Sequence, residues 1–354
     1  MTVTGFRAEI LAQPRNLEQV AASFLPALAE TRAGGELRRF GCGEDAGPVV
    51  FTGMGASLFA AVPAALTLRA AGRAAVAMPA SEVLTSGRGW PNAAYVAVSQ
   101  SGRSAETLAA VRAAPGPRLA LTNTASTPLA GVADLALPIG SDPDGSISVR
   151  TYTASLLAAA ALAAALLGRA PAAVPDVADL AVAMTELLDR ADAAAAWIAA
   201  RLGDVRAVDV VGQGRAAAAA GYGALLLREA TRIPAAAFDT HQYLHGPIEV
   251  AEQGVGVVLF GSGRELRLAR DLASAGAVVL LVTAAGVRGP DEPPNRTPSR
   301  LGVITLPAVR PPLQPILEAV PVQLLAVQLA GARGLVPGKF RHHQDDTKVE
   351  VEPR

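Results

Sequence analysis

The sequence predicts an α/β protein built as two tandem copies of a doubly wound parallel sheet with helices on its faces. Three observations carry that expectation. Short apolar runs, such as 48–52, 94–98, 205–211 and 256–260, alternate with longer stretches of helical spacing. These runs are nearly continuous in apolar residues, as in parallel strands covered on both sides. The second half replays the first at a period of roughly 155 residues, which is a duplicated domain and not a solenoid.

Taken in order, residues 5–33 read as a helical arm, with Ile10, Leu11, Leu17, Val20, Phe24 and Leu28 at three- and four-residue steps. Pro14 interrupts the arm and suits the first turn of its second helix. Gly34-Gly35 breaks the pattern. Strands follow at 48–52, 74–77, 94–98, 119–121 and 135–138, with a helix over 58–71 and an apolar helix over 153–167. The span 168–200 is a helical connection. The replay then has a strand at 205–211, a long helix over about 216–232, strands at 256–260, 278–282 and 303–306, and a closing helix over 316–329. Residues 288–300 hold four prolines and read as a solvated loop. The last stretch, 338–354, is polar, with no room for a core. The expected organisation is an arm over 1–35, a first domain over 36–170, a second over 195–335 and a tail over 336–354.

Composition narrows the function. The formal net charge is zero, so nothing argues for nucleic acid or an anionic membrane as partner. Cys42 is the one cysteine, which excludes a disulfide framework and makes a reducing cytoplasm the default. The N-terminus has no signal-peptide hydrophobic region. The 153–167 helix is short for a membrane span and alanine-rich like a packed core helix.

The chemistry gathers at strand ends, where open α/β sheets bind ligands. The turn Ser99-Gln100-Ser101-Gly102-Arg103-Ser104 is rich in neutral hydrogen-bond donors and leads into a helix. That geometry suits a compact phosphate held by hydroxyls and backbone amides. No lysine follows the glycine, so it is not a nucleotide P-loop. A capped strand-to-helix turn accounts for the same residues. Gly53-Met54-Gly55-Ala56-Ser57 is a second such turn, and Ser57 is a candidate for the same pocket. The second half instead carries titratable groups. Glu229 has Leu225, Leu226 and Leu227 beside it on its helix, an apolar setting that raises a carboxyl pKa towards that of a useful base. The competing reading is a surface glutamate paired with Arg228 or Arg232. His245 suits a general acid near neutral pH, and His241 competes with it. His342, His343, Asp345 and Asp346 lie in a tail without a supporting framework, so no metal site is expected.

In this order the motifs Gly-x-Gly-x-Ser, Ser-Gln-Ser-Gly-x-Ser-x-Glu-Thr-Leu, Arg-Glu at a helix end and His-Gly-Pro sixteen residues later resemble the sugar isomerase (SIS) family. The likeness is strongest to the isomerase half of glucosamine-6-phosphate synthase and to stand-alone isomerases, deaminases and deglycases. It covers nearly the whole chain, including the arm, where Glu9-Ile10 and Gln13-Pro14 match the family's Glu-Ile-x-x-Gln-Pro. The resemblance implies two tandem SIS domains and a 6-phosphorylated sugar or amino sugar as substrate. It implies phosphate binding by Ser57, Ser99, Gln100, Ser101 and Ser104, and proton transfer between C1 and C2 by Glu229. It implies ring opening by His245 from a neighbouring subunit, hence a homodimer, and a tail lysine, Lys348, folding over the sugar. No cofactor is implied.

The departures are Leu226 where the synthase has a second lysine, Tyr222 where it has a glutamate, and the insert 342–346, which blurs the tail alignment. The sequence carries no glutaminase domain, so glutamine-dependent synthesis is not expected. Two classes of function stand: an enzyme on a 6-phosphosugar, and a phosphosugar-binding sensor without turnover. Glu229 and His245 together, with no helix-turn-helix before the first repeat, favour the enzyme.

Overall fold

The computed structural model describes residues 2–41, 47–86, 90, 92–285, 300–342 and 344–350. Cys42, His343 and the loop read over 288–300, apart from Arg300, lie outside the described residues. In chain order the elements are α1 (Val3–Leu11), α2 (Gln13–Ala33), β1 (Val49–Gly53), α3 (Ala56–Ala70), β2 (Ala75–Pro79), α4 (Ala80–Thr85), β3 (Ala94–Ser99), α5 (Ala105–Ala113), β4 (Arg118–Thr122), β5 (Leu135–Pro138), α6 (Arg150–Leu166) and α7 (Val174–Arg201). The second half adds β6 (Ala207–Gly212), α8 (Ala217–Thr231), β7 (Ala235–Phe238), α9 (Thr240–Tyr243), β8 (Val255–Phe260), α10 (Arg264–Ser274), β9 (Val278–Ala284), β10 (Leu301–Leu306) and α11 (Gln314–Ala332). Pro14 stands in the first turn of α2, where a missing N–H costs nothing.

The chain divides into two compact units. One comprises Arg15–Pro143, Arg150–Ala178 and Arg341–Arg354. Its parallel five-stranded sheet has the order β2-β1-β3-β4-β5. The central strands β1 and β3 are buried along their whole length. Their order reverses between β1 and β3, which opens a crevice outside the carboxyl ends of those two strands. Helix α3 packs on α6. Both present buried alanines, among them Ala60, Ala61, Ala64, Ala158 and Ala159, which let two helix backbones approach closely.

The other unit comprises Met1–Pro14, Asp144–Val149 and Asp179–Phe340. Its parallel sheet has the order β10-β9-β8-β6-β7. Numbered within the half, that is the same order as the first sheet, so the repeat read in the sequence is a repeat of topology. The sequence reading put four strands here and missed β7. Its residues, Ala235-Ala236-Ala237-Phe238, are mostly alanine, which has no preference for strands and yields here to pairing with β6. It also missed the short helix α4. Helix α8 packs on α11. Gly223 makes this approach possible, because a Cβ there would stand 3.1 Å from Val322 and 3.3 Å from Val210. Among the described residues one helix, Pro311–Ala332, is long and apolar enough to cross a membrane, and 78% of its apolar window is buried inside the protein. It is the core helix of this unit, packed on α1 and α8. Each of its fully buried leucines contributes about 1.5–3 kcal/mol.

Candidate functional site

The turn after β3 begins with Ser99, which is 5% exposed, and ends with Ser104 as the N-cap of α5. Gly102 has φ +59°, and any side chain there would collide with Thr127. The turn is closed by its own backbone, Gly102 N–H donating to the Ser99 carbonyl at 3.1 Å. Ser104 Oγ accepts from Thr107 N–H at 3.4 Å and from the Thr107 hydroxyl at 3.0 Å. Ser101 Oγ accepts from Arg103 N–H at 3.3 Å. Ser104 thus does cap a helix, as the plainer reading of the motif had it. Among the described residues, the hydroxyls of Ser57 and Ser99 and the amide of Gln100 make no side-chain hydrogen bond. Ser57 follows β1, where Gly53 is required because a Cβ would stand 2.7 Å from the Val98 carbonyl. Ser104 Oγ also donates to the Glu106 carboxylate in the first turn of α5 at 3.2 Å, so the donors left to hold an anion at this helix N-terminus are those of Ser57, Ser99 and Gln100.

The C-terminal tail folds back onto this turn. Lys348 forms an antiparallel bridge with Ser104. Val349 N–H donates to the Arg103 carbonyl at 2.9 Å, and Arg103 Nε returns a bond to the Val349 carbonyl at 2.9 Å. Val349 packs on the cluster of Ala97, Leu108, Val111, Ala120 and Leu129. The tail, read as having no room for a core, therefore contributes one apolar residue to it. Lys348 itself is exposed.

Glu229 lies in the last turn of α8, in the unit of the second sheet. Burial pushes its carboxyl up to about 7. The arginines beside it do not pair with it. Arg228 donates to the Ala235 carbonyl at 2.6 Å, and Arg232, in the left-handed conformation that ends α8, donates to the Lys339 carbonyl at 3.1 Å. Among the described residues, the surface ion pair weighed against a catalytic role is absent. His245 is exposed, one turn past α9, with Gly246 at φ +129° behind it. That turn is held from below. Asp239 caps α9 through the His241 and Gln242 N–H groups, and the buried Tyr243 hydroxyl donates to Asp209 on β6 at 3.0 Å. His241 is exposed as well, and Glu229 and His245 make no hydrogen bond with each other.

The SIS domain family model matches residues 44–165, from before β1 to the end of α6. The chain carries a SIS domain. Over 275 residues it is 31% identical to the glutamine–fructose-6-phosphate aminotransferase (isomerizing) of Mycobacterium bovis, covering 72% of this chain and 43% of that protein. The chain thus spans less than half the length of the curated relatives it matches. Solved structures share the fold. Glucosamine-6-phosphate deaminase from Thermotoga maritima superposes with a TM-score of 0.73 at 21% identity, covering 98% of this chain and all of that one (100%). Tagatose-6-phosphate ketose/aldose isomerase from Escherichia coli superposes with a TM-score of 0.75 at 19% identity, covering 100% of this chain and 98% of that one.

Ser57 and the whole Ser99–Ser104 turn lie inside the matched SIS domain. One titratable group escaped the sequence reading. Glu318 on α11 is also pushed up to about 7 by burial, against a smaller opposing effect of Arg215. Arg215 Nε, Gln314 Nε2 and Glu318 Oε2 are buried without hydrogen-bond partners among the described residues. The available signal was that Glu318 is the sole charged residue in the otherwise apolar run of α11.

Proposed function

We propose that this protein is a phosphosugar isomerase acting on a 6-phosphorylated sugar or amino sugar through proton transfer between C1 and C2. Its likeness in sequence to the isomerase part of the aminotransferases supports this reading, as does the sharing of a fold with a deaminase and a ketose/aldose isomerase. The single observation that carries it is Glu229, a carboxyl without a counter-ion among the described residues whose pKa is raised to about 7 by burial. A base that must take a proton from carbon and return it works best near the operating pH. In this reading both sheets are SIS domains. Ser57, Ser99, Gln100, Ser101 and Ser104 hold the phosphate, with Lys348 of the tail beside them. Glu229 moves the proton, and His245, exposed on its turn, opens the sugar ring of a neighbouring copy in a homodimer.

The test is incubation with a panel of 6-phosphosugars, hydroxyl or amine at C2, following aldose–ketose conversion and ammonia release together. Conversion of one of them is expected. Tight binding with neither conversion nor ammonia across the panel would make the protein a sensor.

A further inference from the structure

The arm motif Glu9…Gln13 and the residue Tyr222 have no role in the reaction so far, yet they converge on one segment, Asp144–Val149. Tyr222 stands seven residues before Glu229 on α8, two turns away on the same helix face. Its buried hydroxyl donates to the Ser148 carbonyl at 2.8 Å and accepts from Gln323 Nε2 at 3.1 Å. Gln323 and Gln13, each wholly buried, exchange amide hydrogen bonds at 2.8 and 3.2 Å. Gln13 Nε2 also donates to the Ile10 carbonyl at 3.0 Å. At the other end of the segment, Gly145 N–H donates to the Glu9 carboxylate at 2.9 Å, and Val149 N–H closes a turn on the Asp144 carboxylate at 2.9 Å. Gly338 leaves no space on a third side, since a Cβ there would stand 2.6 Å from the Ser146 Cβ. Asp144 and Glu229 both lie close enough to the phenol to help disfavour its ionisation, and burial adds most of that effect.

We propose that Tyr222, backed by Gln323 and Gln13, is a positioning residue that fixes the Asp144–Val149 segment alongside the helix bearing Glu229. The inference rests on reading Glu229 as the proton-transferring base. The chemistry of the substitution supports it. A phenol donates to a carbonyl, which an ionised glutamate in the same place cannot do. This chain therefore ties the Ser148 carbonyl to α8 directly. The tie is expensive to break, because the Tyr222 hydroxyl and the two glutamine amides are buried and have no solvent to turn to, while Ser148 is half-buried. The arm residues gain a function at the same time. Glu9 holds the start of the segment, and Gln13 holds its end through two intermediaries.

Tyr222→Phe tests this, because it removes one oxygen and keeps the ring. The expected result has two parts. Amide hydrogen exchange of residues 145–149 speeds up by about tenfold, in line with the loss of one buried hydrogen bond. Turnover of the phosphosugar falls by a similar factor in kcat while KM barely moves. Gln323→Met, which withdraws the donor to Tyr222, serves as second variant should the first fold poorly, with the same two expectations. Unchanged exchange, or faster exchange with unchanged kcat, overturns the proposal. Should the wild-type protein turn over no phosphosugar, the reading of Glu229 as a base falls. Positioning is then decided by the carboxyl-carbon NMR titration of Glu229: a midpoint moved towards the ordinary value in Tyr222→Phe supports the tie, and an unmoved one overturns it.

Discussion

The turn after β3 and the turn after β8 have nearly the same sequence at the same point of the same topology, and they end in opposite chemical states. The first reads Ser101-Gly102-Arg103-Ser104, the second Ser262-Gly263-Arg264-Glu265. In the second, Glu265 is 1% exposed and its carboxylate accepts from Gly263 N–H at 3.2 Å. Ser262 is committed to β9, with its hydroxyl 3.0 Å from that of Thr283 and accepting from Ala284 N–H at 3.1 Å. This turn carries its own anion. In the first, a neutral hydroxyl, Ser104, takes the glutamate's place, and the Ser99 side chain is uncommitted. The Ser104 hydroxyl donates to Glu106 in the first turn of α5 at 3.2 Å, so the first turn's acid stands in the helix and not folded back into the loop, and among the described residues the Ser57 and Ser99 hydroxyls and the Gln100 amide stay uncommitted.

The largest effect should come from making the first turn like the second. Ser104→Glu places a carboxylate in the anion's position. Phosphosugar affinity measured by calorimetry should fall by at least a hundredfold with the fold retained by circular dichroism, since a like charge there costs several kcal/mol. Unchanged affinity would break the comparison outright. Next, Ser99→Ala with Ser101→Ala removes donors without adding charge. The loss should be smaller, about ten- to a hundredfold, as expected for hydrogen bonds to a charged group.

A smaller effect concerns the other unit and sharpens the contrast between neutral and titratable halves. Glu229 is raised from 4.5 to about 7 on folding, so the folded state holds its proton more tightly than the unfolded state does. Ionising it therefore costs stability. The cost is absent below about pH 4.5, grows through the interval and is complete above about pH 7. Glu229→Gln should stabilise the protein by about 3 kcal/mol at pH 8 and hardly at all at pH 4.5, read by denaturant unfolding. Glu318, shifted in the same direction, remains in the variant and leaves part of the pH dependence in place.

Much of this was legible in the sequence because strands buried on both faces announce themselves. All five strands of the first sheet fall where the apolar runs predict them. β7 was hidden because alanine carries no strand signal, and with it went the frame that holds α9 and His245. The hydroxyl turns were readable as turns, but whether a carboxylate folds back into one depends on side-chain direction, which spacing does not give. Glu229 could be seen among leucines. That Arg228 and Arg232 turn to backbone carbonyls could not, because their partners lie across a chain reversal and, at Lys339, 107 residues away. Tyr222 read as a departure from a pattern. Its tie to Ser148, 74 residues earlier, belongs to the tertiary structure alone.

In the proposed reaction Glu229 carries the proton. This is tested most directly by following the hydrogen at C1 or C2 of a bound 6-phosphosugar in deuterated water, in wild type and in Glu229→Gln. Wild type should exchange that hydrogen during turnover. The variant should bind the same sugar and lose both exchange and turnover by roughly two to four orders of magnitude, the usual contribution of a positioned acid–base group. Exchange that continues unchanged in Glu229→Gln would mean that another residue carries the proton, and would contradict the account.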